Sequence, residues 1–159
     1  MAESPRVPSR RDQIEMTDAE LRAFLDEQMV MQCATVGPHG RPHMVPLWFV
    51  SDGLELRGWT YAKSQKARNL DRDPHATIGI EDGVDYQELR GVMFECDVGL
   101  ERDPAEVERY GLALFERYAG ELTPEIREMV EKQAQKRVGL TFAPSRVVTW
   151  DHRKLGGTY

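Results

Sequence analysis

The sequence predicts a small β-barrel of the α+β class, with six to seven mostly antiparallel strands and flanking helices. Two observations lead there. Segments rich in β-branched and apolar residues follow one another across turns as short as SDG, too short for the crossovers that parallel strands need. Capped helical patterns gather in blocks rather than alternating with strands.

The chain has 159 residues, about one domain. Residues 1–13 hold prolines and serines among few apolar groups and read as a loose N-terminal tail ahead of a single domain over 14–151. Thr17 with Glu20 is a capping box, and Leu21, Phe24 and Leu25 continue one helical stripe. Strands are expected at about 29–36, 42–51 and 54–61, separated by GPHG and SDG. Both faces of 43–50 are apolar, which places a barrel core on one side and a ligand or second subunit on the other.

AKSQKARNLDRDP reads as a short helix with Ser64 as N-cap and Asp73-Pro74 as its stop. Ala76, Ile78 and Ile80 mark a fourth strand; Val92, Phe94, Cys96 and Val98 mark a fifth. Asp103-Pro104 and Thr123-Pro124 open two helices, read as solvated covers of the barrel. Two last strands are expected at about 137–142 and 145–150, parted by Ala143-Pro144.

The formal net charge of −6 argues against a general nucleic-acid binder or an anionic-membrane binder. The longest apolar run, Met44–Val50, contains Pro46 and is far below a membrane span. The N-terminus lacks the pattern of a signal peptide, and two cysteines without a CxxC do not make a disulfide scaffold. The expected compartment is the cytoplasm. Four scattered histidines show no metal-ligand spacing; His39 and Arg41 read as solvated turn residues, His43 and His75 as strand starts. No GxSxG, GxGxxG or P-loop is present.

The stretch from Trp59 to Leu70 carries the chemistry. A strand delivers the chain to a helix N-terminus, where free N–H groups and the helix dipole favour an anion. Ser64 adds a hydroxyl, Lys63 and Lys66 add charge, and Arg68 and Arg72 follow one and two turns on. Such a site suits the phosphate of a cofactor. Trp48, Trp59 and Tyr61 lie on the strands that lead into it and would pack a planar ring. The segment 152–159, with His152 and Arg153, is either a flexible end or a flap over a pocket.

Together, ATVGPHGRPHMVPLWFV, WTYAKSQKARNLDRDPHATIGIE and RGVMFECDVGLERDP resemble the pyridoxamine 5′-phosphate oxidase-like flavin and deazaflavin oxidoreductases, a split-barrel family, over roughly residues 17–151. The resemblance implies a homodimer with cofactor sites at the subunit interface. It implies that Val45, Pro46, Leu47 and Trp48 line the cofactor ring. Trp59, Thr60, Lys63, Ser64 and Lys66 would hold the ribityl chain and phosphate, with Arg90 or the tail of the second subunit completing the pocket. The chain ends at DHRKLGGTY and lacks the Arg-rich, Trp-containing C-terminal substrate motif of the oxidases proper, so oxidation of vitamin B6 is not expected.

The sequence is more similar to the actinobacterial branch, which implies coenzyme F-420, a deazaflavin, with FMN as the alternative. Lys63, Lys66, Arg68 and Arg72, with Arg57, would suit the deazaflavin's long anionic tail. The expected reaction is hydride transfer to a small conjugated organic substrate, with Tyr61 and His152 as candidate proton donors. A non-catalytic flavin, deazaflavin or haem binder is the rival reading.

Overall fold

The computed structural model describes residues 9–157. Seven antiparallel strands form one sheet, ordered β2-β1-β5-β6-β7-β4-β3. They are β1 (Met31–Val36), β2 (Pro42–Leu47), β3 (Val50–Asp52), β4 (Glu55–Tyr61), β5 (His75–Asp82), β6 (Arg90–Glu101) and β7 (Arg137–Asp151). Five helices flank it: α1 (Arg10–Ile14), α2 (Asp18–Glu27), α3 (Gln65–Arg72), α4 (Pro104–Ala119) and α5 (Pro124–Ala134). Two 3-10 turns, Tyr86–Glu88 and His152–Leu155, complete the chain.

The sheet curls because alternate residues of every central strand face one core. Cys33 and Met31 of β1, Ile78 and Ile80 of β5, Phe94 of β6, Leu140 and Phe142 of β7 and Leu56 of β4 are all buried in it. Phe24 and Leu25 of α2 and Ala67 and Leu70 of α3 belong to the same core. Truncating one such side chain, for example Phe94→Ala, costs about 3–5 kcal/mol. A second, smaller cluster lies on the outer face of β4, where Trp59 meets Val107 and Leu114 of α4 and Val130 of α5. Gly111 makes that packing possible: a Cβ there would lie 2.4 Å from the Trp59 ring.

The two edges of the sheet, β2 and β3, are consecutive in the chain and joined only by Trp48-Phe49. The edges therefore meet at this link without pairing, and the barrel is split there. The Trp48 carbonyl lies close over Gly58 of β4, 3.2 Å from where a Cβ would stand.

Several expectations change. The strand expected over 42–51 is broken at Trp48-Phe49 into β2 and β3. The two expected last strands are one, because a register shift opposite Glu95/Cys96 absorbs the Ala143-Pro144 interruption. The reading of 1–13 as a loose tail meets α1, held by a capping box between Ser9 and Asp12; residues 1–8 lie outside the described residues. The 152–155 turn is likewise docked, packing against α1 and the Tyr86–Glu88 turn. Residues 158–159 lie outside the described residues.

Candidate functional site: a cationic cradle at the split of the barrel

β4 ends at Tyr61 and a tight turn, Ser64 N–H to the Tyr61 carbonyl at 2.9 Å, delivers the chain into α3. Ser64 is the N-cap, its hydroxyl accepting from Ala67 N–H at 3.2 Å. Thr60, 4% exposed, donates its hydroxyl to Ser64 Oγ at 3.3 Å, and Lys66 Nζ donates to Thr60 Oγ1 at 2.8 Å. Thus Thr60, Ser64 and Lys66 converge where α3 presents its free N–H groups.

Lys66 is half-buried and forms no ion pair among the described residues. Burial pushes its ammonium pKa down, and Arg137 lowers it further, while the nearby Cys33 acts in the opposite sense. Cys33 itself is pushed up to about 11 by its own burial. An uncompensated cation withdrawn from water costs stability, and an arriving anion removes that cost.

α3 is anchored from below. Asn69, fully buried, donates to Thr35 Oγ1 of β1 at 3.0 Å and accepts from Gln65 Nε2 at 2.8 Å. His43 of β2 lies opposite Thr35 in register, and its buried Nδ1 has no hydrogen-bond partner among the described residues. An unpaired half-buried ammonium and an orphaned ring nitrogen close to the α3–β1 contact fit a phosphorylated cofactor.

Val45 and Leu47 of β2 are half-buried, while Pro46 and Trp48 are exposed at the split. Trp48 stacks on Tyr118 of α4, ring centroids 4.3 Å apart, and meets Phe115 edge-on at 6.0 Å. The α4 end also fixes the backbone around this link. Tyr118 hydroxyl bonds Phe49 N–H at 3.0 Å, and Arg117 donates to the carbonyls of Phe49, Leu25 and Gln28. Trp59 is buried, with Phe115 at 6.3 Å edge-on and the Arg137 guanidinium 4.5 Å over its ring. The same guanidinium lies 4.0 Å over Tyr61, which is half-exposed. A cavity of about 260 Å³ opens among Pro46, Leu47, Trp48, Trp59, Phe115, Gln133 and Arg137.

The structure gathers Val45 to Trp48, Trp59, Thr60, Ser64 and Lys66 around the split, with Tyr61 at its edge. Lys63 and Arg68 are exposed on α3 and its lead-in, and neither is ion-paired among the described residues. Other expected site residues are engaged elsewhere. Arg57 pairs with Glu55 at 2.8 Å and Asp52 at 3.5 Å. Arg72 donates to the Val36 carbonyl. Arg90 bonds both Asp82 and Glu27 at 2.8 Å and stacks over Phe24. His152 Nδ1 lies 3.0 Å from the Tyr86 carbonyl, in the docked turn rather than beside Tyr61 or Lys66 of its own chain. Sequence reasoning missed Arg137, Phe115, Tyr118 and Gln133. Phe115, Tyr118 and Gln133 lie on the two helices that read as solvated covers.

No helix among the described residues is long and apolar enough to cross a membrane, and no cluster there could hold a metal ion. No curated protein matches the chain. The conserved hypothetical protein Rv2991 from Mycobacterium tuberculosis is 41% identical, with a TM-score of 0.87, over 96% of this chain and 95% of that one. A structure described as an F420 reductase is 27% identical, TM-score 0.62, over 79% of this chain and 94% of that one. HutZ, a haem storage protein from Vibrio cholerae, shares the fold at 22% identity, TM-score 0.66, over 82% of this chain and 93% of that one. The family described as pyridoxamine 5′-phosphate oxidase matches residues 17–151, nearly the whole curled sheet with its helices. The chain therefore belongs to the pyridoxamine 5′-phosphate oxidase family, whose fold is a flavin-binding split barrel.

Proposed function

We propose that the protein is a cytoplasmic, homodimeric oxidoreductase that binds coenzyme F-420 at the split of its barrel and reduces a small conjugated substrate. The observation that carries this is Lys66: a half-buried cation without a carboxylate partner among the described residues, joined to Thr60 and Ser64 at a helix N-terminus. Support for the deazaflavin comes from the likeness to a structure described as an F420 reductase. It also comes from the exposed Lys63 and Arg68, without ion-pair partners among the described residues, which extend the cationic surface along α3.

When bound, a deazaflavin would supply the chemistry of a hydride, two electrons, for one end of a conjugated double bond. Lys66, Ser64 and Thr60 would hold its phosphate, and Val45 to Trp48 would orient the ring and exclude water. Tyr61 delivers the proton to the other end of the bond; its hydroxyl makes no hydrogen bond among the described residues. His152 serves only if it comes from the second subunit, since its own turn docks on α1.

A second reading keeps the site and exchanges the cofactor for FMN. It is favoured by the engagement of Arg57 and Arg72 with their own partners, which leaves fewer cations for a long tail. The structural likeness to a haem storage protein motivates a third reading, a non-catalytic binder.

Titration of the purified protein with F-420 and with FMN, followed by fluorescence, tests the choice. F-420 is expected to bind tighter than FMN. Tighter FMN binding overturns the deazaflavin assignment, and binding of neither overturns the cofactor site. Reduction of an enone panel by pre-reduced cofactor then separates the enzyme from a store.

A further inference from the structure

The inner side of β4 offers Thr60 to Lys66, but its outer side builds a different environment. Trp59 and Tyr61 point there, away from Thr60 as strand alternation requires. Arg137 pairs with Tyr61 in register, so its side chain stands on that outer face too. The helices α4 and α5 close over this face, and the cavity of about 260 Å³ remains between them and the Trp48 link. Three aromatic side chains line it: Trp48, Trp59 and Phe115.

Arg137 is its only charged lining residue. It is half-buried and makes no ion pair among the described residues. Its one hydrogen bond to a side chain runs from Nε to Gln133 Oε1 at 2.9 Å. That bond, with the Trp59 and Tyr61 rings, fixes the guanidinium plane and leaves its two terminal nitrogens to face a ligand. By contrast Arg57 and Arg90 are engaged with carboxylates and Arg117 with backbone carbonyls.

We propose that this cavity is the substrate pocket and that it selects planar, conjugated organic carboxylates. The aromatic walls take the flat body, and Arg137 grips the carboxylate through both terminal nitrogens. Pro46 to Trp48 belong both to this cavity and to the segment assigned to the cofactor ring, so an occupant lies against the same segment. As a substrate site the assignment rests on the cofactor reading; as a carboxylate site it does not. The Lys66 cradle is separate, on the other face of β4, and serves the phosphate.

The test uses 2-naphthoate and its neutral partner 2-naphthamide as probes, with quenching of tryptophan fluorescence as the readout in cofactor-free protein. Naphthoate should bind about tenfold or more tighter than the amide, the usual value of one charge-assisted bond. Arg137→Gln should abolish that preference, Arg137→Lys should restore part of it, and Phe115→Ala should weaken both probes alike. Lys66→Ala should weaken naphthoate binding far less than Arg137→Gln does.

Equal binding of acid and amide, or loss of naphthoate binding in Lys66→Ala with Arg137→Gln unaffected, overturns the proposal. Displacement of naphthoate by saturating F-420 or FMN also overturns it, because the cavity would then hold the ring itself. Arg137-dependent naphthoate binding in protein that takes up neither cofactor sustains the carboxylate site and fails the cofactor reading alone.

Discussion

Two ends of this fold are rich in cations, and they use them in opposite ways. At the C-terminal corner Arg90, Arg153 and Lys154 each have an acidic partner. Arg90 meets Asp82 and Glu27, Arg153 meets Asp151 at 2.7 Å, and Lys154 meets Glu20. At the start of α3 the pattern reverses: Lys66 is half-buried beside Thr60, and neither Lys63 nor Arg68 pairs among the described residues. Arg137 on the other face of β4 likewise has no ion-pair partner among the described residues. Paired charges tie distant segments of chain together; α2 is joined this way to β6 and to the final turn. Unpaired, partly buried charges contribute nothing to that closure and are expensive to hold. Their retention at one end marks that end for a ligand.

The largest expected effect that sharpens this contrast is on cofactor affinity. Lys66→Ala should weaken binding of the phosphorylated cofactor by about 10- to 150-fold, the value of a hydrogen bond to a charged group. Thermal stability should hold or rise, because a desolvated cation has been removed. Fluorescence titration and a melting curve check both halves, and a large fall in Tm with affinity intact would break the comparison. Affinity should also fall as pH rises through the lowered pKa of Lys66, earlier than for a solvated lysine.

Arg90→Ala should do the reverse. It removes two carboxylate contacts and the stacking on Phe24 from a side chain only 16% exposed. A loss of about 1–2 kcal/mol is expected in urea unfolding, with cofactor affinity within about threefold. Loss of affinity at unchanged stability would move Arg90 into the ligand site instead.

A smaller effect is expected at the cap. Ser64→Ala removes the acceptor for Ala67 N–H and should cost about 1 kcal/mol, a Tm shift of roughly 2–4 °C. Cofactor affinity should fall as well, because Ser64 serves both the helix and the anion.

The smallest effect concerns acid. Hydrogen bonds from Arg90 and Arg153 hold Asp82 and Asp151 below the ordinary carboxylate value of 3.8. Groups lowered on folding stabilise above the unfolded value and lose that contribution as pH falls through the folded one. Wild type should therefore lose its advantage over Asp151→Asn progressively below pH 3.8. An advantage that persists to full protonation would show that the pair does not hold the corner.

Much of this was readable from sequence because it is local. Ser64 capping α3, the Asp73-Pro74 stop and the alternation of β5 and β6 all depend on neighbours within a turn or two. The family resemblance through Val45 to Trp48 and Trp59 to Lys66 extended that reading to a cofactor. What sequence did not reveal depends on pairing across the chain. Arg137 meets Tyr61 only because β4 lies beside β7, and Phe115 meets Trp48 only because α4 folds over the split. The engagement of Arg90 by Glu27 and Asp82 needs α2 to reach β6. Pro144 looked like a strand end, yet the bulge opposite Cys96 lets β7 run on.

The central claim is that the Thr60–Ser64–Lys66 cradle holds a cofactor phosphate. A crystal soaked with F-420 tests it most directly. The account predicts phosphate oxygens within hydrogen-bond reach of Lys66 Nζ and Ser64, with the ring against Val45 to Trp48. F-420 bound elsewhere, with Lys66 still donating to Thr60 and no anion beside it, would contradict the account.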